Sequence, residues 1–447
     1  MFVKLIVLDF MNTSWVLPSP PTGNNRIIEL AGTDLWITGL INNVFVYPLA
    51  LDFDRLKTAL GAALSSWPFI AGRFLKQNGR YVIEMSDNHI PVTFVEDNVQ
   101  EKWPADLNVV VDKDSGILQP FLDEVESKNL VGGSRHEQLF RLKLTHLKNS
   151  EEWVMGASWS HILGDGDACL QFLNAISSLY QGKTPLNPNP MFERYLWPEN
   201  NVDQHLLSNI EQFLVNAQIQ TNKGVQVNIC FSNEHLQKLN ESISDPDLSI
   251  GNVLSAYIIS KLNNLRAEDN EPFIKHANTM INYRKPSGSF ASTNLVANAV
   301  LMPLSNPFEN PQSVSSIARI IRQSINDSME DNFIKRWVST ADHVMKRIVL
   351  EGHLPQMSIL KDRIVLNSNL KFDWAGRVDF GQTNQCRFYT TWTRLLYIRI
   401  FRRNPECDGI EWKKGDGIEV AFRIEENKNE RFLKAFDEDC RQNFDHV

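Results

Sequence analysis

The sequence contains little cysteine and carries no excess of positive charge. Its five cysteines are odd in number, widely spaced and without a Cys-x-x-Cys pair: Cys169, Cys230, Cys386, Cys407 and Cys440. This usage argues against a disulfide framework or structural zinc site and predicts reduced thiols in an intracellular protein. With 45 basic and 53 acidic residues the net charge is −8, so we expect no general nucleic-acid surface.

Long hydrophobic runs are also missing. The N-terminal stretch MFVKLIVLDFMNTSW has only four consecutive apolar residues between its lysine and Asp9. That run is too short for a signal sequence or a membrane span, and no other window approaches the length of a membrane helix. We therefore expect a first strand here, a cytoplasmic location and no membrane partner.

Several familiar catalytic motifs are absent as well. The stretch GASWS lacks the second glycine of the G-x-S-x-G elbow, and no Walker loop or H-E-x-x-H pair is present. The run GDGDAC starts like G-x-G-x-x-G but has Cys169 in the last position. These absences argue against nucleophile-elbow hydrolysis, phosphoryl transfer, zinc proteolysis and hydride transfer with a bound dinucleotide. We expect no metal.

What is present is a pattern of alternating helices and strands. A chain of 447 residues is too long for one ordinary core, which predicts two mixed α/β domains. The predicted helices are 52–67, one from near Asp167, 250–267, 314–328 and 429–442, and the predicted strands are 40–49, 138–147, 152–161, 225–232, 278–285, 393–401 and 417–426. The Pro- and Asn-rich stretch 184–201 has no periodicity. We predict an N-terminal domain 1–185, a crossover linker 186–215 and a C-terminal domain 216–447.

The stretch ASWSHILGDGDACLQF (157–172) carries the candidate chemistry. His161 ends an alternating run, and Asp165 follows four residues later between Gly164 and Gly166. An imidazole of ordinary pKa near ~6.5 is mostly neutral at pH 7, as a general base requires. The pattern alone is common by chance and equally describes a turn histidine. Trp159, on the same strand face, is a candidate for the wall of a cleft or for the core.

Five segments in order resemble the BAHD superfamily of acyl-CoA-dependent acyltransferases, in particular a fungal-type member. They are PSPPTGNNRIIELAGTDL (18–35), LKTALGAALSSWPFIAGRF (56–74), SHILGDG (160–166), INYRKPSG with LVANAV (281–300) and VDFGQT (378–383). Together they resemble the opening loop, the AGR turn, the H-x-x-x-D-G motif, the arginine strand and the first half of D-F-G-W-G. Ala297 stands where glycine is usual, and Gln382 and Thr383 replace the final W-G.

This resemblance implies two chloramphenicol-acetyltransferase-type domains with a channel at their interface. Acyl-CoA would enter as co-substrate from one face and a small, specialised metabolite from the other, with no permanently bound cofactor. His161 would act as general base on a hydroxyl, less often an amine, which attacks the thioester without an acyl-enzyme. The family expectation is a monomer.

The resemblance also implies roles for neighbouring residues. Asp165 would pair with Arg284 and hold the turn that orients His161; the alternative is an ordinary surface pair of little energetic value. The residues Asp379, Phe380 and Gly381 would be structural and lie away from the catalytic centre.

The replaced W-G leaves the oxyanion donor open. Ser368 and Asn369, in the segment before D-F-G, are candidates, and Gln382 is a weaker one. For the CoA phosphates the candidates are Lys285, Ser287 and Gly288, and for the pantetheine path Ser255. An ordinary solvated lysine is the alternative for Lys285.

Two other functions fit the same sequence. One is a non-catalytic relative that binds a small molecule in the same channel, against which the intact His161, Asp165 and Gly166 argue. The other is a carrier-protein-dependent condensation-type enzyme. Such domains usually have two adjacent histidines, whereas Ser160 precedes His161 here.

Overall fold

The computed structural model describes residues 10–441 apart from positions 24, 99, 101, 105, 135, 199–200, 215–223, 286–289 and 409–410. The strands, numbered along the chain, are β1 (Phe10–Val16), β2 (Ile27–Glu29), β3 (Leu40–Tyr47), β4 (Arg73–Gln77), β5 (Arg80–Glu84), β6 (Ile90–Asp97), β7 (Phe140–Leu147), β8 (Glu152–Ser160), β9 (Val225–Phe231), β10 (His276–Thr279), β11 (Ile281–Asn282), β12 (Val300–Leu301), β13 (Arg363–Ser368), β14 (Arg387–Thr390), β15 (Tyr397–Arg402), β16 (Glu406–Asp408), β17 (Glu411–Lys413) and β18 (Ile418–Ile424). The helices are α1 (Phe53–Ser66), α2 (Ser127–Val131), α3 (Gly166–Tyr180), α4 (Gln204–Leu214), α5 (Asn233–Ile243), α6 (Ile250–Glu268), α7 (Val314–Ser328), α8 (Asp331–Leu350), α9 (Trp374–Arg377) and α10 (Glu426–Asp439).

The strands of the first half form a six-stranded sheet, here sheet I, with the order β1-β6-β7-β8-β3-β14. Strands β3 and β8 are antiparallel, with Leu40 opposite Ser160 at one end and Tyr47 opposite Trp153 at the other. This register places the end of β8, and therefore residue 161, beside the start of β3.

A second sheet, sheet II, has the order β10-β13-β15-β18-β9. Strand β14 lies between β13 and β15 in the sequence but belongs to sheet I, where Thr390 lies opposite Asn43 of β3. The chain thus passes from sheet I to sheet II between Thr390 and Tyr397. Because β14 lies in the predicted C-terminal domain yet completes sheet I, a boundary at residue 215 does not separate the two sheets. The domain division stays a prediction.

Each sheet has its own hydrophobic core. Sheet I packs on α1 and α3, with Phe45, Leu60 and Phe172 fully buried among one cluster of side chains. Sheet II packs with α6, α7 and α8 around a second cluster that contains Ile258 and Ile400. Two cores with helices on both sheets confirm the predicted mixed α/β class.

The periodic segments are predicted best. The helices predicted at 52–67, 250–267 and 314–328 are confirmed as α1, α6 and α7. The strand predicted at 278–285 is wrong, because β10 pairs in parallel with β13 whereas β11 changes partner and pairs with β12. The strand predicted from 393 begins only at Tyr397, since Leu396 has a positive φ of 57°.

Five of the described helices were not predicted, among them the short α2 and α9 and the eleven-residue α5. Helix α4 lies inside the predicted linker, and α8 follows directly on α7. Among the residues that the structure describes, no helix combines the length and apolar character needed to cross a membrane.

Candidate active site

The turn after β8 holds His161 at the edge of sheet I. The His161 amide donates to the carbonyl of Gly39 at 2.9 Å, and Gly164 N donates back to the His161 carbonyl at 3.2 Å. Gly164 has a φ of +148°, which disfavours any residue with a side chain. The Trp159 indole is fully buried and donates to the Gly164 carbonyl at 2.9 Å. Trp159 is therefore a core residue that supports the turn.

Gly39 leaves just enough room for the imidazole. A Cβ atom built on Gly39 would lie 3.0 Å from His161 Cβ and 3.2 Å from Cδ2. Gly39 has no positive φ, so the close approach of His161 and of the Trp36 carbonyl oxygen, 3.2 Å from the same position, explains why a glycine stands here.

Asn298 contacts His161 at two points and determines its tautomer. The amide nitrogen of Asn298 donates to the His161 carbonyl at 2.7 Å and to Asp34 Oδ1 at 3.3 Å. Both partners are acceptors, so this nitrogen is fixed and the other amide atom facing the ring is an oxygen. His161 Nδ1 lies 3.1 Å from that Oδ1 and must carry the proton. The lone pair is then on Nε2, which has no hydrogen bond to any described residue.

Asp34 keeps Asn298 in this orientation. Its Oδ1 also accepts from the Asn298 backbone amide at 2.9 Å, and its Oδ2 pairs with Arg194 Nε at 3.0 Å. Asp34 and Arg194 side chains are 1% and 2% exposed, so the pair is shielded from water. The hydrogen-bonded series His161–Asn298–Asp34–Arg194 thus joins four separate segments of the sequence.

Burial governs the electrostatics of the imidazole. Desolvation lowers the pKa of His161 below its ordinary value, and the hydrogen bond to Asn298 and the charge of Asp165 oppose that shift. A lowered pKa keeps His161 neutral at pH 7 with Nε2 free to accept a proton.

Asp165 lies at the N-terminus of α3 and pairs with Arg284. The guanidinium meets the carboxylate at two points, Nη1–Oδ2 at 2.8 Å and Nη2–Oδ1 at 3.2 Å. Asp165 further accepts from the amides of Ala168 at 3.1 Å and Ala299 at 2.9 Å. The side chains of Arg284 and Asp165 are 2% and 6% exposed, so this is a buried pair rather than a surface pair.

Arg284 also holds the segment that carries Asn298. Its Nε donates to the Leu295 carbonyl at 3.0 Å and its Nη2 to the Ala297 carbonyl at 2.7 Å. Since Ala297 precedes Asn298, one guanidinium fixes both the turn below His161 and the residue that orients its ring.

The D-F-G segment lies elsewhere. Asp379 Oδ1 accepts from Gly381 N at 2.9 Å, and Gly381 has a φ of +94° that favours glycine. Phe380 N donates to Ser177 of α3 at 3.0 Å. These hydrogen bonds hold the loop against α3. No described contact joins the D-F-G residues to His161.

Gln382 is not placed to serve as the oxyanion donor. Its amide nitrogen donates to the Leu49 carbonyl at 2.9 Å and its oxygen accepts from Leu49 N at 3.0 Å. Leu49 follows the end of β3 opposite to the end beside His161. At ~3.3 Å per residue, β3 alone separates the two by roughly 23 Å, so this prediction is wrong.

The other oxyanion candidates end β13. Ser368 is exposed, and its hydroxyl lies 3.7 Å from the Cβ position of Gly251. Asn369 is buried, and its side-chain amide nitrogen donates to Asn367 Oδ1 at 3.2 Å. The described contacts connect neither of them to His161.

The predicted CoA contacts are dispersed. Lys285 is not a free cation, because its Nζ pairs with Asp331 at 2.6 Å and donates to the Met329 carbonyl at 2.8 Å. Ser255 is buried on α6 and donates to the Gly251 carbonyl at 2.8 Å. Ser287 and Gly288 lie outside the described residues. In the described ranges, no group of three or more His, Cys, Asp or Glu side chains could hold a metal ion.

Sequence reasoning missed Asn298, Asp34 and Gly39. Asn298 follows Ala297 in the segment LVANAV. Asp34 is the last residue but one of the segment PSPPTGNNRIIELAGTDL. Both were visible in matched segments, but a single sequence does not reveal that they meet.

The sequence and the structure were compared with those of known proteins in three ways. The sequence model of the Transferase family matches residues 6–383. Acyl transferase 15 of Oryza sativa subsp. japonica is 28% identical over 132 residues, which cover 29% of this chain and 30% of the rice protein. The chain therefore aligns with less than a third of that relative's length.

Solved structures match over nearly the whole chain. The crystal structure of vinorine synthase has a TM-score of 0.67 at 16% identity and covers 95% of this chain and 98% of its own. F. graminearum TRI101 complexed with coenzyme A and T-2 mycotoxin has a TM-score of 0.64 at 13% identity and covers 92% and 98%. These likenesses confirm the two-part fold. Because the family match covers most of the sequence, the chain belongs to the Transferase family of BAHD acyltransferases.

Proposed function

We propose that this protein transfers an acyl group from acyl-CoA to a hydroxyl group of a small molecule, with His161 as general base. The observation that carries the proposal is the tautomer of His161. His161 Nδ1–H donates a hydrogen bond to Asn298 Oδ1 at 3.1 Å, which leaves the basic Nε2 without a partner among the described residues. A general base needs this protonation state and a pKa that keeps it at neutral pH.

The reaction balances without a covalent enzyme intermediate. Nε2 of His161 accepts the proton of the acceptor hydroxyl while the oxygen attacks the thioester carbonyl carbon. The tetrahedral intermediate collapses as the carbon–sulfur bond breaks, and the imidazolium returns the proton to the CoA thiolate. Family membership and the coenzyme A complex of TRI101 support acyl-CoA as the donor.

Asp165 and Arg284 act as positioning residues in this proposal. They do not contact the reacting atoms, but they hold the turn on which His161 stands and the segment that carries Asn298. Ser368 remains the candidate for stabilising the oxyanion, since its hydroxyl is exposed and makes no hydrogen bond to a described residue. Ser368→Ala should then lower kcat by roughly 10²-fold.

The proposal is tested by CoA release. Purified wild-type protein is incubated with acetyl-, malonyl-, butyryl- and benzoyl-CoA and a panel of alcohols and phenols, and free thiol and acylated product are measured. His161→Ala should reduce turnover by roughly 10²- to 10⁴-fold with unchanged melting temperature. His353→Ala, at an exposed position, is the matched control.

Two outcomes contradict the proposal in different ways. Full turnover in His161→Ala would show that another group is the base. Saturable CoA binding by the wild-type protein without release from any acyl-CoA would favour the non-catalytic binding protein.

A further inference from the structure

Arg399 lies where the two sheets face each other. It occupies the middle of β15 between Tyr397 and Phe401, and successive side chains of a strand alternate in direction, so these three share one face. Phe401 contacts Phe388 of β14, with ring centroids 5.9 Å apart. That face of sheet II is therefore turned towards sheet I, and the Arg399 guanidinium lies 4.8 Å from the Phe401 ring centroid.

The guanidinium uses only one of its edges. Nη1 donates to the carbonyl oxygens of Thr391 at 2.5 Å and Trp392 at 3.1 Å. Nε is buried without a partner, and within the described residues the Nε–Nη2 edge makes no hydrogen bond. This edge presents two parallel N–H donors, the fork that receives a carboxylate in a bidentate pair.

The structure supplies no acid to this fork. Within the described ranges no carboxylate lies within ion-pair distance of Arg399. Besides Tyr397, the charge that acts on it belongs to Glu419. The Glu419 oxygens already accept from Val109 N at 2.7 Å, Val110 N at 3.0 Å and Asn228 at 2.9 Å. Burial lowers the pKa of Arg399 to about 10. A desolvated charge without a counter-ion is unfavourable, and its retention suggests a ligand that completes it.

The surroundings add positive charge and neutral donors. Burial raises the pKa of Tyr397, and the charges of Arg399 and Arg394 oppose the rise, so both cations lie near its hydroxyl. Arg394 donates to the Met357 carbonyl at 2.6 Å and has no acidic partner among the described residues. Asn367 donates to the Tyr397 hydroxyl at 2.8 Å. The group is thus basic and polar, and no described carboxylate forms an ion pair with Arg399 or Arg394.

This basic group lies along β3 from His161. Thr390 is opposite Asn43, so the next residue, Thr391, is level with residue 42 of β3. Three residues further on, Gly39 accepts the amide of His161. At ~3.3 Å per residue, the backbone that Arg399 Nη1 contacts lies roughly 10 Å along β3 from the backbone beside His161, so the fork and the imidazole are separated by a distance on the order of 10 Å.

We infer that the Nε–Nη2 edge of Arg399 binds a carboxylate of the substrate, so that the enzyme acts on substrates whose reacting group and carboxylate are roughly 10 Å apart. The inference rests on the proposed function for the position of the reacting group, but not for the carboxylate site itself. Two substrates could supply the carboxylate: a hydroxy acid as acceptor, or a long dicarboxylic acyl group. A single carboxylate, with two oxygens, can accept both hydrogen bonds from the Nε–Nη2 edge of Arg399.

Calorimetric titration separates the two sources. In the acceptor arm, wild-type protein is titrated with 4-hydroxycinnamate and with its methyl ester. In the acyl arm, it is titrated with azelaoyl-CoA, nonanoyl-CoA and CoA. Each titration is repeated with Arg399→Gln, Arg399→Lys and the control Arg402→Gln, an exposed residue on the opposite face of β15.

We expect the wild-type protein to prefer the acid over its neutral counterpart in one arm by at least tenfold. Arg399→Gln should abolish that preference, Arg399→Lys should retain part of it, and Arg402→Gln should retain all of it. The arm that responds identifies the source. These titrations measure binding, so a protein that binds the acid but releases no CoA would contradict the proposed function and not the carboxylate site.

Two results would overturn the carboxylate site. One is an equal affinity of wild-type and Arg399→Gln protein for acid and neutral counterpart in both arms. The other is an equal loss of affinity for CoA, nonanoyl-CoA and azelaoyl-CoA in Arg399→Gln, which would assign the guanidinium to the phosphates of CoA.

Discussion

Asn298 holds His161 by its ring and by its backbone: the amide oxygen lies 3.1 Å from Nδ1, and the amide nitrogen donates to the His161 carbonyl at 2.7 Å. The histidine ends a strand of sheet I, whereas the asparagine lies 137 residues later, in the segment before β12. The site is therefore complete only when the two halves of the chain pack together. Its geometry depends on that packing as much as on the motif.

Asn298→Leu should reduce kcat by roughly 10²-fold with a smaller effect on KM. The imidazole would lose the acceptor that selects its tautomer, so a fraction of molecules would present a protonated Nε2 to the acceptor. Asn174→Leu is the matched control. Both asparagines are 7% exposed, but Asn174 donates to the Arg377 carbonyl, away from His161. An equal loss of kcat in both variants would contradict a positioning role for Asn298.

The pH dependence of kcat/KM should reflect the burial of His161. A general base is active when unprotonated, and burial lowers the pKa of His161 below its ordinary value near ~6.5. Activity should therefore persist at pH 6.5 and fall only at lower pH. Asp165→Asn removes a negative charge that raises this pKa, so the midpoint of the fall should move to still lower pH. A midpoint above 6.5 in the wild-type protein would contradict the assignment of the base.

Asp165→Asn should also destabilise the fold. The pair with Arg284 is buried, and its removal leaves the guanidinium only the longer contact with Asp167 at 3.7 Å, so we expect a cost near the lower end of the ~3–5 kcal/mol of a broken buried pair. The free energy of unfolding is measured by urea titration. Arg319→Gln breaks an ion pair in which the arginine is 60% exposed and should leave the urea midpoint unchanged. A wild-type midpoint combined with lost activity would show that Asp165 acts in the reaction and not in holding the turn.

Helix bounds and turns that depend on local sequence patterns could be predicted from the sequence. The apolar stripe of α1 gave its bounds to within one residue, and the glycines around Asp165 indicated the turn. The Asp165–Arg284 contact was expected from two matched segments, and the structure brings these residues together in a buried bidentate pair.

What failed depends on contacts between distant segments. The place of Gln382 beside D-F-G makes it an oxyanion candidate, but both atoms of its amide are hydrogen-bonded to Leu49 beyond the far end of β3. Strand β14 lies within the predicted C-terminal domain, yet it pairs with β3 of sheet I. No pattern in a single sequence shows which strand a segment will pair with, and the same limit hid Asn298.

Gly39→Ala should impair catalysis through steric contact alone. The added methyl group would lie 3.0 Å from His161 Cβ, so the ring must shift from the position that Asn298 selects. Because a displacement of about 1 Å can reduce a rate by about 10²-fold, we expect a fall in kcat of roughly that size with KM less affected. Gly132→Ala is the control, since its methyl group would meet only the Lys128 and Asn129 carbonyls, at 3.4 and 3.6 Å. A kcat in Gly39→Ala equal to that of the control would show that the imidazole has more freedom than the contact with Gly39 implies.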